Sequence, residues 1–243
     1  MKSENTSSGE SRAIGKKLRK ALNMSSRTYR KTLTELRTKL NILEQTISSN
    51  QWENVQYDKI PSKAGMQYRK AFFRHDGQRY EQFIEQVTSG EKTMNAGTLF
   101  PYEIIEKLNV HRYSAPSIQE QNAMDAMWKS LPDYFNGESV NGIVVCDTSG
   151  SMSGRPLDVA ISLAIYTAER NTGAFHNHFI TFSMRPTLQQ LKGSTIYEKA
   201  NNLSKANWEM DTNIEAVFDL ILNKAIANKH VSYTHLRAHE TKA

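Results

Sequence analysis

One stretch, residues 142–157, constrains the fold of this chain more than any other. It opens with a short apolar run, residues 143–146, that stops abruptly at Asp147. A loop of hydroxyl and glycine residues follows. A helix is then predicted with Pro156 in its first turn, where the N–H that proline lacks would have no partner anyway. A continuous β-branched run is typical of a parallel strand buried on both faces, so the stretch predicts an α/β, doubly wound (Rossmann-type) sheet.

The loop after this predicted strand carries a candidate metal site. Asp147, Ser149 and Ser151 stand at alternate positions and can point into one cavity, at the end of the strand where such sheets bind ligands. Carboxylate and hydroxyl oxygens are hard ligands, so we expect Mg²⁺, with Mn²⁺ or Ca²⁺ as alternatives, and not zinc. The competing interpretation is that the two serines only cap the following helix.

The pattern Asp-x-Ser-x-Ser after a buried strand resembles the metal-ion-dependent adhesion site of von Willebrand factor A domains. The resemblance implies that Ser149 and Ser151 bind the cation directly and that Asp147 acts mostly through water. It also implies that Thr212, just before the next apolar-periodic helix, completes the protein side of the site. The acidic residue that ends the family's site has no match in this sequence. A plain helix N-cap is the alternative role for Thr212.

A second resemblance covers the part of the chain before this motif. Its phrases are Trp52-Glu-Asn-Val-x-Tyr57, Ile60-Pro-Ser62, Tyr68-x-Lys-Ala-Phe-Phe73, Arg74-His-Asp-Gly-x-Arg79 and Asn95-Ala-Gly-x-Leu-Phe-Pro101. They resemble the family called domain of unknown function 2828, which implies a helical half joined to a von Willebrand factor A-like domain. That architecture is similar to Ro/TROVE proteins, in which helical repeats bind RNA.

The region near the N-terminus is strongly basic and suggests a different partner. An apolar stripe through Leu33, Leu36 and Leu40 predicts a helix of about 25 residues in this region. One hypothesis is phosphate contact with RNA or DNA, and the alternative is a solvated helix face. The candidate nucleic-acid-binding residues are Lys16, Lys17, Arg19, Lys20, Arg27, Arg30 and Lys31.

The same patterns predict the domain organisation. We expect a disordered tail over residues 1–15, a helical domain over 16–136 and an incomplete von Willebrand factor A-like domain over 137–230. Residues 201–208 are predicted to be loop. Residues 231–243 resemble a translated sequencing adapter, so we expect this tail not to be native.

Composition narrows the class of protein. No apolar run is long enough to span a membrane, and the first ten residues contain no apolar core of a secretory signal. The single cysteine, Cys146, allows no internal disulfide, and a cytoplasmic location is the default expectation. Asp147-Thr-Ser-Gly differs from the Asp-Thr-Gly of aspartic proteases, and neither a P-loop nor a Gly-x-Ser-x-Gly elbow is present. The prediction is therefore a non-enzymatic binding protein with a protein partner at the cation, or else an RNA-binding protein.

Overall fold

The computed structural model describes residues 8–40, 42–110, 115–138, 142–147, 149–206 and 213–227. The chain divides into two compact units, residues 1–56 and 57–243. In the described residues of the first unit the helices are α1 (Ser8–Ala21), α2 (Ser26–Lys39) and α3 (Leu43–Ser48). In the second they are α4 (Ser62–Thr88), α5 (Pro101–Leu108), α6 (Ile118–Lys129), α7 (Arg155–Arg170), α8 (Ile196–Ser204) and α9 (Ile214–Ala227).

The first unit departs from the sequence prediction in two ways. Residues 8–15 lie in α1 and not in a disordered tail. The single helix of about 25 residues is broken between α2 and α3, where Leu40 ends α2 and Ile42 adopts extended backbone. Ser25 begins α2 by accepting a hydrogen bond from the Thr28 N–H, which is the usual role of a serine N-cap.

The helical part of the second unit is built on an aromatic cluster beside α4. Phe72 is fully buried, and its ring lies 5.3 Å from that of Tyr57 and 5.2 Å from that of Tyr80. The sequence His75-Asp-Gly77 is typical of a helix end, and α4 is interrupted there, since Asp76 has the non-helical angles φ −147° and ψ 43° and two helical segments meet at a kink. Asp76 accepts a hydrogen bond from the Tyr57 hydroxyl at 2.7 Å. That bond and the burial of the ring raise the pKa of Tyr57 well above its ordinary value.

The sheet has three strands among the described residues, β1 (Val144–Asp147), β2 (His178–Phe182) and β3 (Leu188–Gln190), in the order β1-β2-β3. β1 and β2 are parallel, with Asp147 opposite Phe182, and α7 makes the crossover between them. β3 returns antiparallel to β2 after a short turn. The fold is thus mixed α/β, and α7 covers the sheet with Leu157, Ile161, Ala164, Ile165 and Ala168, all buried.

The helical part and the sheet part of the second unit share one core. α5 packs mainly against α7, and its side chains Ile104, Ile105 and Leu108 are completely buried. α6 is tied to α7 by Trp128, whose indole N–H donates to Glu169 at 2.8 Å. Lys199 of α8 donates to the other oxygen of the same carboxylate at 2.6 Å. The carboxylate of Glu169 therefore joins three helices.

The structure also corrects the predicted loop over residues 201–208. Residues 201–204, predicted as loop, belong to α8, which Thr195 and Glu198 begin with a reciprocal capping box. α9 buries Val217 but leaves Ile214 and Phe218 more than half exposed.

In the part of the chain that the structure describes, no helix has the length and apolar content required to cross a membrane.

Candidate functional site

Asp147 and Ser149 come together where β1 ends. The Oδ1 atom of Asp147 accepts a hydrogen bond from the backbone N–H of Ser149 at 2.9 Å. This bond closes a local turn at the end of β1, and a 3-10 turn over Gly150–Met152 follows. The sharp stop of an apolar strand at an aspartate, seen in the sequence, is this turn.

The two serine side chains of the loop meet. Ser149 Oγ and Ser151 Oγ form a hydrogen bond at 3.0 Å in which either hydroxyl can be the donor, with Ser149 buried and Ser151 exposed. Neither serine caps α7, since the N-cap of α7 is Gly154, which no side-chain hydrogen bond assists. Gly154 has φ +87°, a conformation that glycine adopts without strain, and it redirects the chain into the helix. The interpretation of the serines as simple caps of this helix does not agree with the structure.

The spacing of the hydroxyls fits a small hard cation. Two neighbouring ligands of an octahedral Mg²⁺, each about 2.1 Å from the metal, lie about 3.0 Å apart. Oxygens around Ca²⁺, at about 2.4 Å, would lie about 3.4 Å apart in the same arrangement. Ser149 Oγ and Ser151 Oγ, 3.0 Å apart, could therefore both bind Mg²⁺ or Mn²⁺ with little rearrangement. Asp147 would supply the negative charge beside them.

The fourth predicted ligand, Thr212, lies outside the described residues, so its place at the site stays a prediction. The helix after it, α9, contacts β2. Asn213 caps this helix, since its Oδ1 accepts the Ala216 N–H at 3.0 Å. The alternative role of Thr212 as the N-cap of this helix is therefore taken by Asn213. Among the described residues, no group of three or more His, Cys, Asp or Glu side chains is arranged to hold a metal.

Cys146, directly before the site, is a structural residue. Its side chain is 2% exposed, and burial, with a smaller contribution from Asp147, raises the pKa of the thiol to about 12. Because the thiolate is the nucleophile and the metal ligand, a thiol with this pKa is unreactive near neutral pH. Cys146 therefore serves as a small buried apolar side chain.

Asp158, in the first turn of α7, is a carboxylate near the site that the sequence did not reveal. Its pKa is raised to about 6, mainly by burial and to a smaller extent by repulsion from Glu106 on α5, while Arg155 opposes the shift. No sequence pattern predicts the raised pKa of Asp158, because it depends on the packing of α5 against α7.

We expect the Asp158 carboxyl to make the stability of the fold pH-dependent. Its pKa in the folded state, about 6, lies above the value of about 3.9 in an unfolded chain. The contribution that favours folding is therefore complete below the unfolded pKa and is lost as pH rises through about 6. Asp158→Asn should lower the dependence of the free energy of unfolding on pH between about 4 and 7, measured by urea titration. Asp219→Asn, at an exposed position of α9, is the control, and an unchanged pH profile in Asp158→Asn would contradict the prediction.

The structure sorts the basic residues of the first unit into two groups. Lys16, Arg19 and Arg30 line a cleft of about 460 Å³ between α1 and α2, together with Arg12 and Tyr29. The remaining candidates do not line it: Lys17, Lys20, Arg27 and Lys31. Sequence reasoning missed Arg12 because the tail was predicted to be disordered. The spacing of Arg12, Lys16 and Arg19, four and three residues apart, would have placed them on one face of a helix.

Comparison with known families identifies the chain. Residues 2–137, more than half of the sequence, match the family described as domain of unknown function DUF2828. The chain belongs to the DUF2828 family. Residues 141–235 of this DUF2828 protein match a second family, described as domain of unknown function DUF7788. The candidate cation site lies in the second match and the basic cleft in the first.

A relative of this DUF2828 protein occurs in a giant virus. The chain is 32% identical over 232 residues to "Uncharacterized protein L728" of Acanthamoeba polyphaga mimivirus. The alignment covers 89% of this chain and 39% of the relative, so the chain spans about two fifths of that protein's length. No solved structure matches the chain.

Proposed function

We propose that this DUF2828 protein is a non-enzymatic binding protein that uses a divalent cation, Mg²⁺ first, to hold a protein partner. Ser149 and Ser151 bind the cation directly, with Asp147 beside them and Thr212 completing the protein side. An acidic side chain of the partner takes the remaining coordination position. The observation that carries the proposal is the 3.0 Å separation of the two serine hydroxyls at the end of a parallel strand.

The surrounding architecture supports the same proposal. A short strand, the Asp-x-Ser-x-Ser loop, a covering helix and a second parallel strand follow one another in the order found in von Willebrand factor A domains. In a parallel sheet, the loop after a strand lies at the edge where ligands bind. Ser151 is exposed, so a cation held there could be reached from solvent by a second protein.

The cation alone provides the test. Saturating Mg²⁺ or Mn²⁺, at about 100 times Kd, should stabilise the chain by about 2.7 kcal/mol. In a domain of this size that corresponds to a rise in Tm of about 5–10 °C. The double variant Ser149→Ala/Ser151→Ala should lose the rise, whereas Ser153→Ala, an exposed serine of the same loop, should keep it. Equal cation-dependent stabilisation of the double variant and the wild type would refute the site.

Nucleic-acid binding by the first unit is the second candidate function, and one observation favours it. Residues 8–40 contain ten Lys and Arg against two Glu, a net charge of +8, although the whole chain carries only +6. The rest of the chain is thus slightly acidic, and the positive charge is concentrated on α1, α2 and the turn between them. Such concentration is the electrostatic footprint of phosphate binding. A wild-type chain that fails to bind RNA at low salt in EDTA would exclude this second function.

A further inference from the structure

We infer that the cleft between α1 and α2 is a phosphate-binding site that takes the backbone of a single-stranded nucleic acid. The inference rests on the proposed nucleic-acid binding and assigns it to particular side chains. Arg12, Lys16, Arg19 and Arg30 hold the phosphates, and Tyr29 offers a ring face on which a base can stack.

The arrangement of the cations in the cleft suits a chain of phosphates. Arg12, Lys16 and Arg19 follow one side of α1 over about 10 Å, since each helical residue rises about 1.5 Å. Arg30 faces them from α2, where its Nε donates to the Ser26 carbonyl at 3.2 Å. This bond fixes part of the Arg30 side chain and reduces the entropy lost when its other N–H groups bind an anion.

The side chains that line the cleft concentrate positive charge, which favours binding of an anion. Among the described residues, the side chains that line it include four cations and no carboxylate. Like charges gathered around one cavity repel each other, and a bound phosphate removes that repulsion. The surface ion pair between Lys31 and Glu35 lies on another part of α2 and does not neutralise the lining cations.

An anionic membrane surface is the competing partner, but it does not account for the cleft. α1 carries an exposed apolar stripe through Ile14, Leu18 and Leu22, each at least half exposed. At 3.6 residues per turn, Arg12, Lys16 and Arg19 lie about 100° to 160° around the helix from the middle of that stripe. A bilayer that bound the stripe would leave the cleft cations directed away from the lipid.

Two charge variants of the full chain locate the binding site. The cleft variant is Arg12→Gln/Lys16→Gln/Arg19→Gln/Arg30→Gln. The matched control is Lys17→Gln/Lys20→Gln/Arg27→Gln/Lys31→Gln, which removes the same charge from the same helices. Binding of a labelled oligouridylate is measured in EDTA over a salt series. At 0.1 M salt the cleft variant should raise Kd on the order of 100-fold and reduce the log–log salt slope by about 3, against less than about fivefold for the control.

The outcomes distinguish the assignment of the binding site to the cleft from nucleic-acid binding by the chain in general. Equal losses in the two variants would overturn the cleft assignment while nucleic-acid binding stands, and no binding by the wild type would remove both. Tyr29→Ala should weaken single-strand binding by about five- to a hundredfold and leave duplex DNA binding nearly unchanged. An equal loss for duplex DNA would overturn the single-strand assignment. If the cleft variant loses binding to phosphatidylserine vesicles as much as to RNA, the partner is a lipid surface and the inference is wrong.

Discussion

Replacing Phe72 by alanine is expected to lower the free energy of unfolding by about 3–5 kcal/mol, the range found when large buried aromatic side chains are removed. Phe72 has no exposed surface, and its ring contacts those of Tyr57 and Tyr80 edge-on. Truncation leaves a cavity in the core, because α4 is packed against α6 and the surrounding side chains can close the space only in part. Urea unfolding followed by circular dichroism measures the loss.

Phe100→Ala is the matched control for the Phe72 substitution. Phe100 is 57% exposed and stacks on Tyr102, with the Lys63 ammonium 5.5 Å from its ring centre. The same truncation there should cost about 1 kcal/mol or less, because little apolar surface returns to water. Similar losses at the two positions would show that the aromatic cluster is not the centre of the fold.

Gly193→Ala is expected to be the most damaging of the glycine substitutions. Gly193 has φ +126°, and a Cβ there would lie 2.6 Å from the Cβ of Glu198 and 2.9 Å from the backbone N of Lys199. Backbone cannot move aside as a side-chain end can. The substitution must therefore displace the start of α8, where Ser194 and Thr195 bond to Glu198. We expect a loss of about 3 kcal/mol or more, since strain and a lost cap combine.

Gly137→Ala separates the two causes of that loss. Gly137 also has a positive φ, +75°, but a Cβ there would meet no atom within 4 Å. The cost should then be only that of the left-handed backbone, about 1–2 kcal/mol. Thermal unfolding of the two variants side by side checks the difference. If Gly193→Ala costs no more than Gly137→Ala, the close approach of α8 to residue 193 is not rigid.

The sequence predicted best where one local pattern determines the structure. The β-branched run before Asp147 and the proline after Gly154 correctly predicted a strand, a tight loop and a helix. The predicted burial of this strand on both faces was wrong, because Val145 is 39% exposed and only Cys146 is buried. The alternation of Asp147, Ser149 and Ser151 was enough to bring the two hydroxyls together, because residues two apart in a tight loop cannot be far separated. The crossover helix then required β1 and β2 to be parallel.

The predictions failed where tertiary packing or a weak local signal decides. His75, Asp76 and Gly77 correctly predicted an interruption of the helix at Asp76, but a second helical segment follows directly, and Asp76 has Tyr57 and Arg79 as partners. The start of α8 was missed although Thr195 and Glu198 have the spacing of a capping box. The raised pKa of Asp158 depends on the packing of α5 on α7, which no single stretch of sequence encodes.

The basic cleft shows the same division. The charge of the N-terminal region was evident from the sequence, and seven of its residues were named as candidates for phosphate contact. Their separation into a group that lines the cleft and a group that does not depends on the turn after α1. That turn passes through Asn23, which adopts a left-handed backbone at φ 51°. Asparagine is among the few residues besides glycine that take this conformation readily.

The bond between Trp128 and Glu169 makes the fluorescence of Trp128 sensitive to the packing of α6 against α7. The indole of Trp128 is 3% exposed and donates to a carboxylate on α7. If α6 separated from α7, the indole would lose its bond to the carboxylate and become exposed to water. Its fluorescence emission would then shift to longer wavelength. The wavelength of maximum emission would thus show whether the helical part and the sheet part of the second unit are still packed together.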